Sequence, residues 1–231
     1  MVNGRWRAWL SWLWPGSCVL CRASIQADQN FCPGCRADLP WIHNACPRCA
    51  APSASSRALC GACQRKRPAV DRTYAALRYR PPIDRLVLGL KYHRRLEMAR
   101  ALGELLAAKL HALDERPDIV IPVPLHASRL RERGYNQALE LARVVARRLA
   151  VPLDAHAARR RRATASQTNL PLRLRARNVR NAFSISAKDV RGKRVAVIDD
   201  VMTTGHTIDA LAKALRRAGA REISAWIVAR A

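Results

Sequence analysis

From residue 73 onward, short apolar runs alternate with longer segments whose apolar residues recur every three or four positions. A short apolar run predicts a strand, and the longer repeat predicts a helix with one buried face. The run RVAVID is almost uninterrupted, which is typical of a parallel strand that is buried on both sides. The strands predicted in this way are 73–79, 118–124, 194–199 and 222–229.

Helical stripes lie between these runs. Pro81 and Pro82 precede the first stripe, as suits a helix start, and Gly219 follows the last, as suits a helix end. Strands that alternate with helices indicate an α/β fold, with a mostly parallel sheet covered by helices on both faces. The stripes are Ile83, Leu86, Val87 and Leu90; Leu96, Ala99, Leu102, Leu106 and Leu110; Ala138, Leu141, Ala142, Val145 and Leu149; and Ile208, Leu211, Ala212 and Leu215.

The first 72 residues follow different patterns. Residues 5–14 carry tryptophans and leucines at helical spacing, so we expect a short helix that packs on the next module, with membrane or partner contact as the alternative. The polar run 64–72 indicates a domain boundary. The predicted organisation is a Trp-rich helix at 1–17, a cysteine module at 18–66 and an α/β domain at 72–231.

A basic interval at 159–181 fits neither repeat. We predict a mobile excursion here, with one short helix near 171–181. The arginines of this interval, which include RRRR at 159–162, favour either a solvated loop or a groove for the backbone of single-stranded DNA. Aromatic residues are scarce nearby, so any such contact is expected to be electrostatic rather than base-specific.

The charge balance is strongly basic. Among 231 residues, 42 are Lys or Arg and 17 are Asp or Glu, which gives a formal net charge of +25. Such a chain favours polyanions as partners, whether nucleic acid, phosphates or an anionic membrane surface. A GC-rich genome would also produce this abundance of arginine and alanine, so charge alone does not select a partner.

The N-terminus lacks the apolar core and small-residue cleavage site of a secretory signal, and no apolar span approaches the roughly 20 residues that cross a bilayer. We therefore expect a cytoplasmic protein without stable membrane insertion. In that compartment thiols stay reduced, so paired cysteines indicate a metal site more often than disulfides.

Eight cysteines form four CxxC pairs separated by equal gaps of ten residues. Each pair directs two thiolates at one metal, and two pairs complete the closed tetrahedral site that structural zinc prefers. His43 lies between the two halves and is expected to be an ordinary surface histidine. The predicted ligand sets are Cys18, Cys21, Cys32 and Cys35 for one zinc, and Cys46, Cys49, Cys60 and Cys63 for the other.

Spacing alone leaves other arrangements open. An interleaved pairing would join the first CxxC with the third and the second with the fourth. Iron–sulfur clusters or redox dithiols are further alternatives.

The segment VAVIDDVMTTGHT, residues 195–207, ends a predicted strand with Asp199 and Asp200 and continues into a loop of small residues. Ligands of open α/β sheets gather at this edge. The backbone N–H groups of the helix that follows, together with threonine hydroxyls, would cradle a phosphate. A strand-to-helix turn capped by Asp and Thr is the simpler interpretation, but it leaves the second acid unexplained. Since carboxylates would repel a phosphate, we expect them to face sugar hydroxyls or Mg²⁺ instead. A phosphorylated ribose would offer hydroxyls to the acids and a phosphate to the loop.

This segment resembles the thirteen-residue phosphoribosyl pyrophosphate motif of type I phosphoribosyltransferases. Together with the cysteine module, four further stretches resemble the ComF family, whose phosphoribosyltransferase-like domain is implicated in DNA uptake during natural competence. The stretches are LKYHRR at 90–95, PVPLHASRLRERGYNQA at 122–138, TASQTNL at 164–170 and RARNVRNAF at 175–183. The resemblance implies a type I phosphoribosyltransferase-like sheet preceded by a double zinc ribbon.

The resemblance also implies roles for particular residues. Asp199 and Asp200 would hold the ribose hydroxyls. Arg129 and Arg133, in a loop after the 118–124 strand, would bind pyrophosphate. The loop that would hold the 5′-phosphate comprises Thr203, Thr204, Gly205, His206 and Thr207. Lys91, at the end of a predicted helix, would either reach a phosphate of the ligand or remain a solvated lysine. Arg177 is expected to face the ligand, and the interval 159–181 matches the position of a lid.

Two functions remain open at this point. The first is a DNA-uptake protein that binds phosphoribosyl pyrophosphate (PRPP) or a related ribose phosphate and contacts single-stranded DNA and other uptake proteins. The second is an active phosphoribosyltransferase that uses PRPP with Mg²⁺ and an acceptor the sequence does not name. No hood that would select an acceptor is recognisable.

Overall fold

The structure is a computed structural model that describes residues 16–113, 115–161 and 182–231. The expected Trp-rich helix at 5–14, the short helix near 171–181 and Arg177 all lie outside these ranges. The described chain forms two compact units, which divide between Pro40 and Trp41.

The elements are numbered in chain order. The strands are β1 (Gly16–Ser17), β2 (Ser24–Ile25), β3 (Arg72–Arg78), β4 (Ile119–Pro122), β5 (Ala158–Arg160), β6 (Phe183–Ile185), β7 (Arg194–Met202) and β8 (Glu222–Arg230). The helices are α1 (Pro33–Ala37), α2 (Gly61–Arg65), α3 (Ile83–Tyr92), α4 (Glu97–Leu110), α5 (Ala127–Arg133), α6 (Gln137–Leu149), α7 (Ala187–Val190) and α8 (His206–Arg217).

Four parallel strands form the central sheet in the order β3-β8-β7-β4. All four were predicted from their apolar runs. The strand β7 continues to Met202, so the two aspartates lie within the last few residues of the strand rather than after its end. Because all strands are parallel, their carboxyl ends meet at one edge of the sheet, which is where ligands of such sheets bind.

Helices with buried faces cover the sheet. Along α4, α6 and α8, residues such as Leu102, Leu141 and Leu211 are completely buried, as their spacing predicts. At the start of α8, Gly205 has a φ of 76°, a left-handed conformation that glycine adopts without strain. This residue lets β7 turn sharply into α8 at the functional edge.

The second cysteine group belongs to the same compact unit as the sheet. The Ile42 N–H donates to the Ala76 carbonyl of β3 at 2.9 Å, and the Thr73 N–H donates to the Pro47 carbonyl at 2.9 Å. Val70, inside the polar run where we placed a boundary, is buried in the same core as the sheet. This half of the cysteine module is therefore anchored on β3.

Two segments differ from their sequence-based predictions. Residues 127–133 were expected to be a loop but form α5, which is capped by His126 at its start and by the left-handed Gly134 at its end. The start of the basic interval, expected to be irregular, forms β5, which pairs antiparallel with β6. Among the described residues, no helix combines the length and apolar character that crossing a bilayer requires.

Candidate ribose phosphate and zinc sites

The structure gathers the eight cysteines into two groups. The ligand atoms within each group lie within 4.8 Å of one another. The groups are Cys18, Cys21, Cys32 and Cys35, and Cys46, Cys49, Cys60 and Cys63. They match the sequential arrangement rather than the interleaved one.

The sulfur geometry fits zinc. The Cys21 and Cys32 sulfurs are 3.6 Å apart, as are those of Cys49 and Cys60. A zinc tetrahedron with bonds of about 2.3 Å separates its sulfurs by about 3.8 Å, so only small adjustments are needed. Both groups are consistent with structural zinc, since four cysteines leave no open coordination position for catalysis.

The thiol pKa values also favour a cation in each group. Despite burial, which acts in the opposite direction, backbone N–H groups lower the pKa of Cys18 to about 6 and that of Cys46 to about 7. Hydrogen bonds from neighbouring thiols raise the pKa of Cys35 to about 12. Four adjacent thiols thus resist becoming thiolates together, and a divalent metal removes that conflict.

The acid pair lies near the carboxyl end of β7 with its two side chains in different surroundings. Asp199 is partly exposed, whereas Asp200 is buried. The Asp199 Oδ1 atom accepts a hydrogen bond from the Asp200 N–H at 2.9 Å, and the Asp200 Oδ1 atom accepts one from the Val201 N–H at 2.7 Å. These bonds fix both carboxylates and leave Asp199 as the more accessible acid.

Lys91 forms an ion pair with the buried acid. Its Nζ atom lies 2.9 Å from Asp200 Oδ2, and the two side chains are 21% and 3% exposed. Burial would lower the pKa of Lys91, but the charge and hydrogen bond of Asp200 outweigh it, so the pKa is raised. We expected Lys91 to reach a phosphate, and the structure places it between Asp200 and a cationic cleft. The Tyr135 hydroxyl donates to the Leu90 carbonyl and so holds the end of α3 that carries Lys91.

The cationic cleft has a volume of about 120 Å³ and lies at the junction of α3 and α5. Arg133 stacks over the Tyr92 ring, with its guanidinium carbon 5.5 Å from the ring centroid. Arg129 contacts Glu132 at 3.5 Å, a weak and mostly exposed pair. The cleft is lined by Lys91, Tyr92, Arg94, Arg129, Glu132 and Arg133. The structure therefore brings together three of the basic residues singled out from the sequence.

Two further arginines lie in this region that the sequence named only as parts of longer stretches, Arg94 within LKYHRR and Arg160 within the basic block 159–162. Arg94 lines the cleft, and its place in LKYHRR, three residues after Lys91, was the available signal. Arg160 lies on β5, which is bridged to His126 at the start of α5. Burial lowers the pKa of Arg160, and the nearby charge of Asp199 opposes that shift. Because the pairing of β5 with β6 joins distant segments, no local pattern could have placed Arg160 there.

The loop between β7 and α8 has the features of an anion site. Thr203 and Thr204 are exposed, and the Thr204 Oγ1 atom lies 3.1 Å from His206 Nδ1. The first N–H to find a partner within the helix is that of Asp209, which donates to the Gly205 carbonyl at 2.8 Å. The dipole of α8 places its positive end at this loop, which favours a negatively charged group there.

Arg230 anchors this loop to the second cysteine group. Its guanidinium donates to the Cys49 carbonyl at 2.9 Å and to the Met202 carbonyl at 3.0 Å, and it also donates to the Thr203 carbonyl. The three carbonyls belong to Cys49 of the second cysteine group and to Met202 and Thr203, where β7 passes into the loop. Arg230 is therefore a positioning residue that joins the metal site to the anion site.

A pH prediction follows from Asp199. Burial, and then the charge of Asp200, raise its pKa to about 8, although Lys91 opposes the shift. Between its usual pKa of about 3.8 and pH 8, the folded chain binds a proton that the unfolded chain releases, so stability falls as the pH rises. From pH 6 to 8 the thermal midpoint of the native chain should fall more steeply than that of Asp199→Asn. The free energy of unfolding of the native chain should fall by up to about 1.4 kcal/mol more per pH unit than that of the variant. Parallel curves would contradict the shift.

Known protein families match both the cysteine module and the α/β domain. A double zinc ribbon domain matches residues 9–64, and a phosphoribosyl transferase domain matches residues 90–231. The DNA utilization protein YhgH of Escherichia coli (strain K12) is 37% identical over 220 residues, which cover 93% of this chain and 90% of that protein. Competence protein F of Haemophilus influenzae is 34% identical over 180 residues, which cover 74% of this chain and 78% of that protein. The chain therefore belongs to the competence protein F family and combines a double zinc ribbon with a type I phosphoribosyltransferase-like domain.

Proposed function

We propose that the chain binds phosphoribosyl pyrophosphate, or a closely related ribose phosphate, and contacts single-stranded DNA in the course of DNA uptake. The proposed binding of a ribose phosphate rests on one observation. Along one edge of the sheet, the acid pair stands between a phosphate loop on α8 and a cationic cleft beside α5. A ribose that carries a phosphate at one end and a pyrophosphate at the other presents its anions and hydroxyls in the same order.

Each group has a defined task in this proposal. Asp199 accepts hydrogen bonds from the ribose hydroxyls, and Asp200, paired with Lys91, completes the acid pair. The 5′-phosphate lies on the first turn of α8 with Thr203, Thr204 and Thr207, where Gly205 lets the backbone come close. Arg129 and Arg133 hold the pyrophosphate, since guanidinium groups bind such oxygens with two parallel hydrogen bonds.

Magnesium fits the same site. Its preferred ligands are oxygens, and the partly exposed Asp199, whose raised pKa keeps it protonated in the metal-free chain, would release that proton and bind the ion as a carboxylate. Bound there with the pyrophosphate oxygens, the ion would neutralise charge that the arginines alone do not cover. Residue Arg177, which lies outside the described ranges, remains a proposed ligand contact on the strength of the family resemblance.

The DNA contact is supported by charge and by the relatives. The net charge is +25, and β5 brings Arg159 and Arg160 next to the start of α5. The relatives carry the names DNA utilization protein and competence protein F. A strand backbone that follows these arginines would pass the ribose phosphate site.

The decisive experiment is a pair of titrations on the zinc-loaded full chain. Calorimetry with PRPP should show one site per chain that requires Mg²⁺ and is competed by ribose 5-phosphate. Fluorescence anisotropy with a labelled single-stranded oligonucleotide should show binding that weakens steeply from 50 to 300 mM salt, because released counterions drive it. No heat with intact acids would exclude the PRPP site, and no anisotropy change at low salt would exclude the DNA contact.

A second candidate is Mg²⁺-dependent phosphoribosyl transfer. The paired carboxylates favour it, since they would stabilise positive charge on the ribosyl group as pyrophosphate departs. This activity predicts pyrophosphate release that requires both PRPP and an added acceptor. Tight PRPP binding without release, across nucleobase, amine and nucleic-acid acceptors, would leave the binding function alone.

A further inference from the structure

A second cavity borders the loop between β7 and α8 but does not include the acid pair. Its volume is about 310 Å³, and its lining includes Thr204, Gly205 and His206 of the loop. Neither aspartate nor Lys91 lines it. The opposite wall comes from the second zinc ribbon, through Cys49, Ala62 and Cys63. The loop that follows the acid pair therefore forms one wall of a cavity that the acids themselves do not line.

The chemistry of this second cavity is mixed. Most of its wall is apolar and its edge is cationic. The apolar residues include Ala62, Pro68, Val70, Met202 and Ile208, and the basic ones are Arg48, Lys66, Arg67 and Arg230. Asp209 is the single acid among the residues that line it, and its charge is met by Lys213 at 2.8 Å. An apolar cavity of this size with a cationic edge suits a flat, uncharged ring attached to a phosphate.

The position of the cavity indicates which atom of the bound phosphate would carry the ring. If the loop binds the phosphate of a ribose 5-phosphate, the ester bond to C5′ points toward the acid pair. The remaining phosphate oxygens then face the loop and the space beyond it. In a nucleic-acid strand, one of those oxygens carries the preceding nucleoside through its 3′ carbon.

We propose that this cavity binds the nucleoside that precedes the ribose phosphate in a single strand. The inference rests on the proposed function, because it places a phosphodiester where that function places a 5′-phosphate. The last ribose of the strand lies at the acid pair, its phosphodiester lies in the loop, and the neighbouring base lies against the second zinc ribbon. The site therefore takes the 3′ end of a strand.

A free 3′ hydroxyl is required in this arrangement. It donates to Asp199, whereas a 3′-phosphate has no such donor and would place added bulk and negative charge beside the acid pair. The cationic edge of the cavity instead attracts the phosphates that lie further upstream.

The test uses small defined probes on the zinc-loaded full chain. By competition calorimetry, the dinucleotide thymidylyl-(3′→5′)-thymidine should bind about tenfold more tightly than thymidine 5′-monophosphate. Adding a 3′-phosphate to the dinucleotide should remove most of its affinity. Equal affinities of the dinucleotide and the mononucleotide would overturn the proposal.

Two variants locate the effect. Ala62→Trp fills the cavity, and Lys66→Glu reverses a charge at its edge. Both should cancel the tenfold advantage of the dinucleotide and leave ribose 5-phosphate binding unchanged. The controls Ala58→Trp and Arg57→Glu make the same changes at exposed positions of the same ribbon that do not line the cavity. A zinc content of two per chain verifies that each variant is folded.

The outcomes separate the two proposals. If ribose 5-phosphate and PRPP both fail to bind the native chain, the proposed function fails. If they bind but Ala62→Trp and Lys66→Glu leave the dinucleotide advantage intact, the cavity inference alone is wrong.

Discussion

Exchanging Asp199 and Asp200 together for asparagine is expected to weaken Mg²⁺-dependent binding of PRPP by about 100-fold or more. A hydrogen bond to a charged group contributes about 1.5–3 kcal/mol, and each 1.4 kcal/mol is a factor of ten in affinity. Loss of the contacts of Asp199 with the ribose and the ion, together with loss of the Asp200–Lys91 pair beside it, therefore accounts for about two orders of magnitude. Calorimetry on the native and variant chains measures the difference.

The matched control is Glu115→Gln with Glu222→Gln. These acids line a cavity at the amino ends of the strands, so the control removes the same charge at the opposite edge of the sheet. It should leave PRPP affinity within about twofold. Because Asp200→Asn leaves Lys91 without its acid, thermal unfolding must accompany the titration. A variant that is folded and binds PRPP as tightly as the native chain would refute the role of the acids.

Removing the metal from the second ribbon is expected to abolish the anion site, although no cysteine contacts the ligand. Structural zinc contributes about 10–16 kcal/mol to a small metal-dependent fold, which matches or exceeds the whole stability of an ordinary domain. The ribbon supplies the Cys49 carbonyl to Arg230 and the Pro47 carbonyl to β3. In Cys46→Ser with Cys63→Ser, we therefore expect loss of the cooperative thermal transition and of PRPP binding.

The first ribbon provides the comparison. Cys18→Ser with Cys35→Ser also removes two thiols and one zinc, but within the compact unit that ends at Pro40. This variant should retain PRPP affinity within a fewfold and lose one zinc per chain by metal analysis. Equal effects of the two variant pairs on PRPP binding would show that Arg230 does not link the second metal site to the loop.

Most of the sheet, and the edge at which the candidate site lies, could be predicted from the sequence. The apolar run of β7 and the stripe of α8 are each long enough to identify an element, and their junction placed Asp199, Asp200 and the loop after them at the carboxyl end of the strand, as the structure has them. The equal spacing of the CxxC pairs likewise indicated closed four-cysteine groups. These features are local, so pattern and spacing were sufficient.

Features that depend on distant contacts were not predictable. Helix α5 has a single large apolar residue, Leu130, and that residue is 43% exposed. The sequence of α5 therefore has no apolar stripe from which a helix could be predicted. Its ends are set by the His126 cap and by Gly134. The pairing of Lys91 with Asp200 joins α3 to β7, and the burial of Val70 joins a polar run to the core. Each depends on the assembled sheet rather than on its own neighbours.

The place of β8 between β3 and β7 has a consequence for how the chain folds. Tyr74 pairs with Trp226, and Ile198 pairs with the same residue from the other side. A central strand that comes last in the sheet delays closure, since the entropy of a long loop must be overcome before these contacts form. The cysteine knuckles close over much shorter loops, so metal capture can precede sheet assembly. The phosphate loop gains its Arg230 anchor only when the last strand arrives, which makes competence to bind ligand a late event in folding.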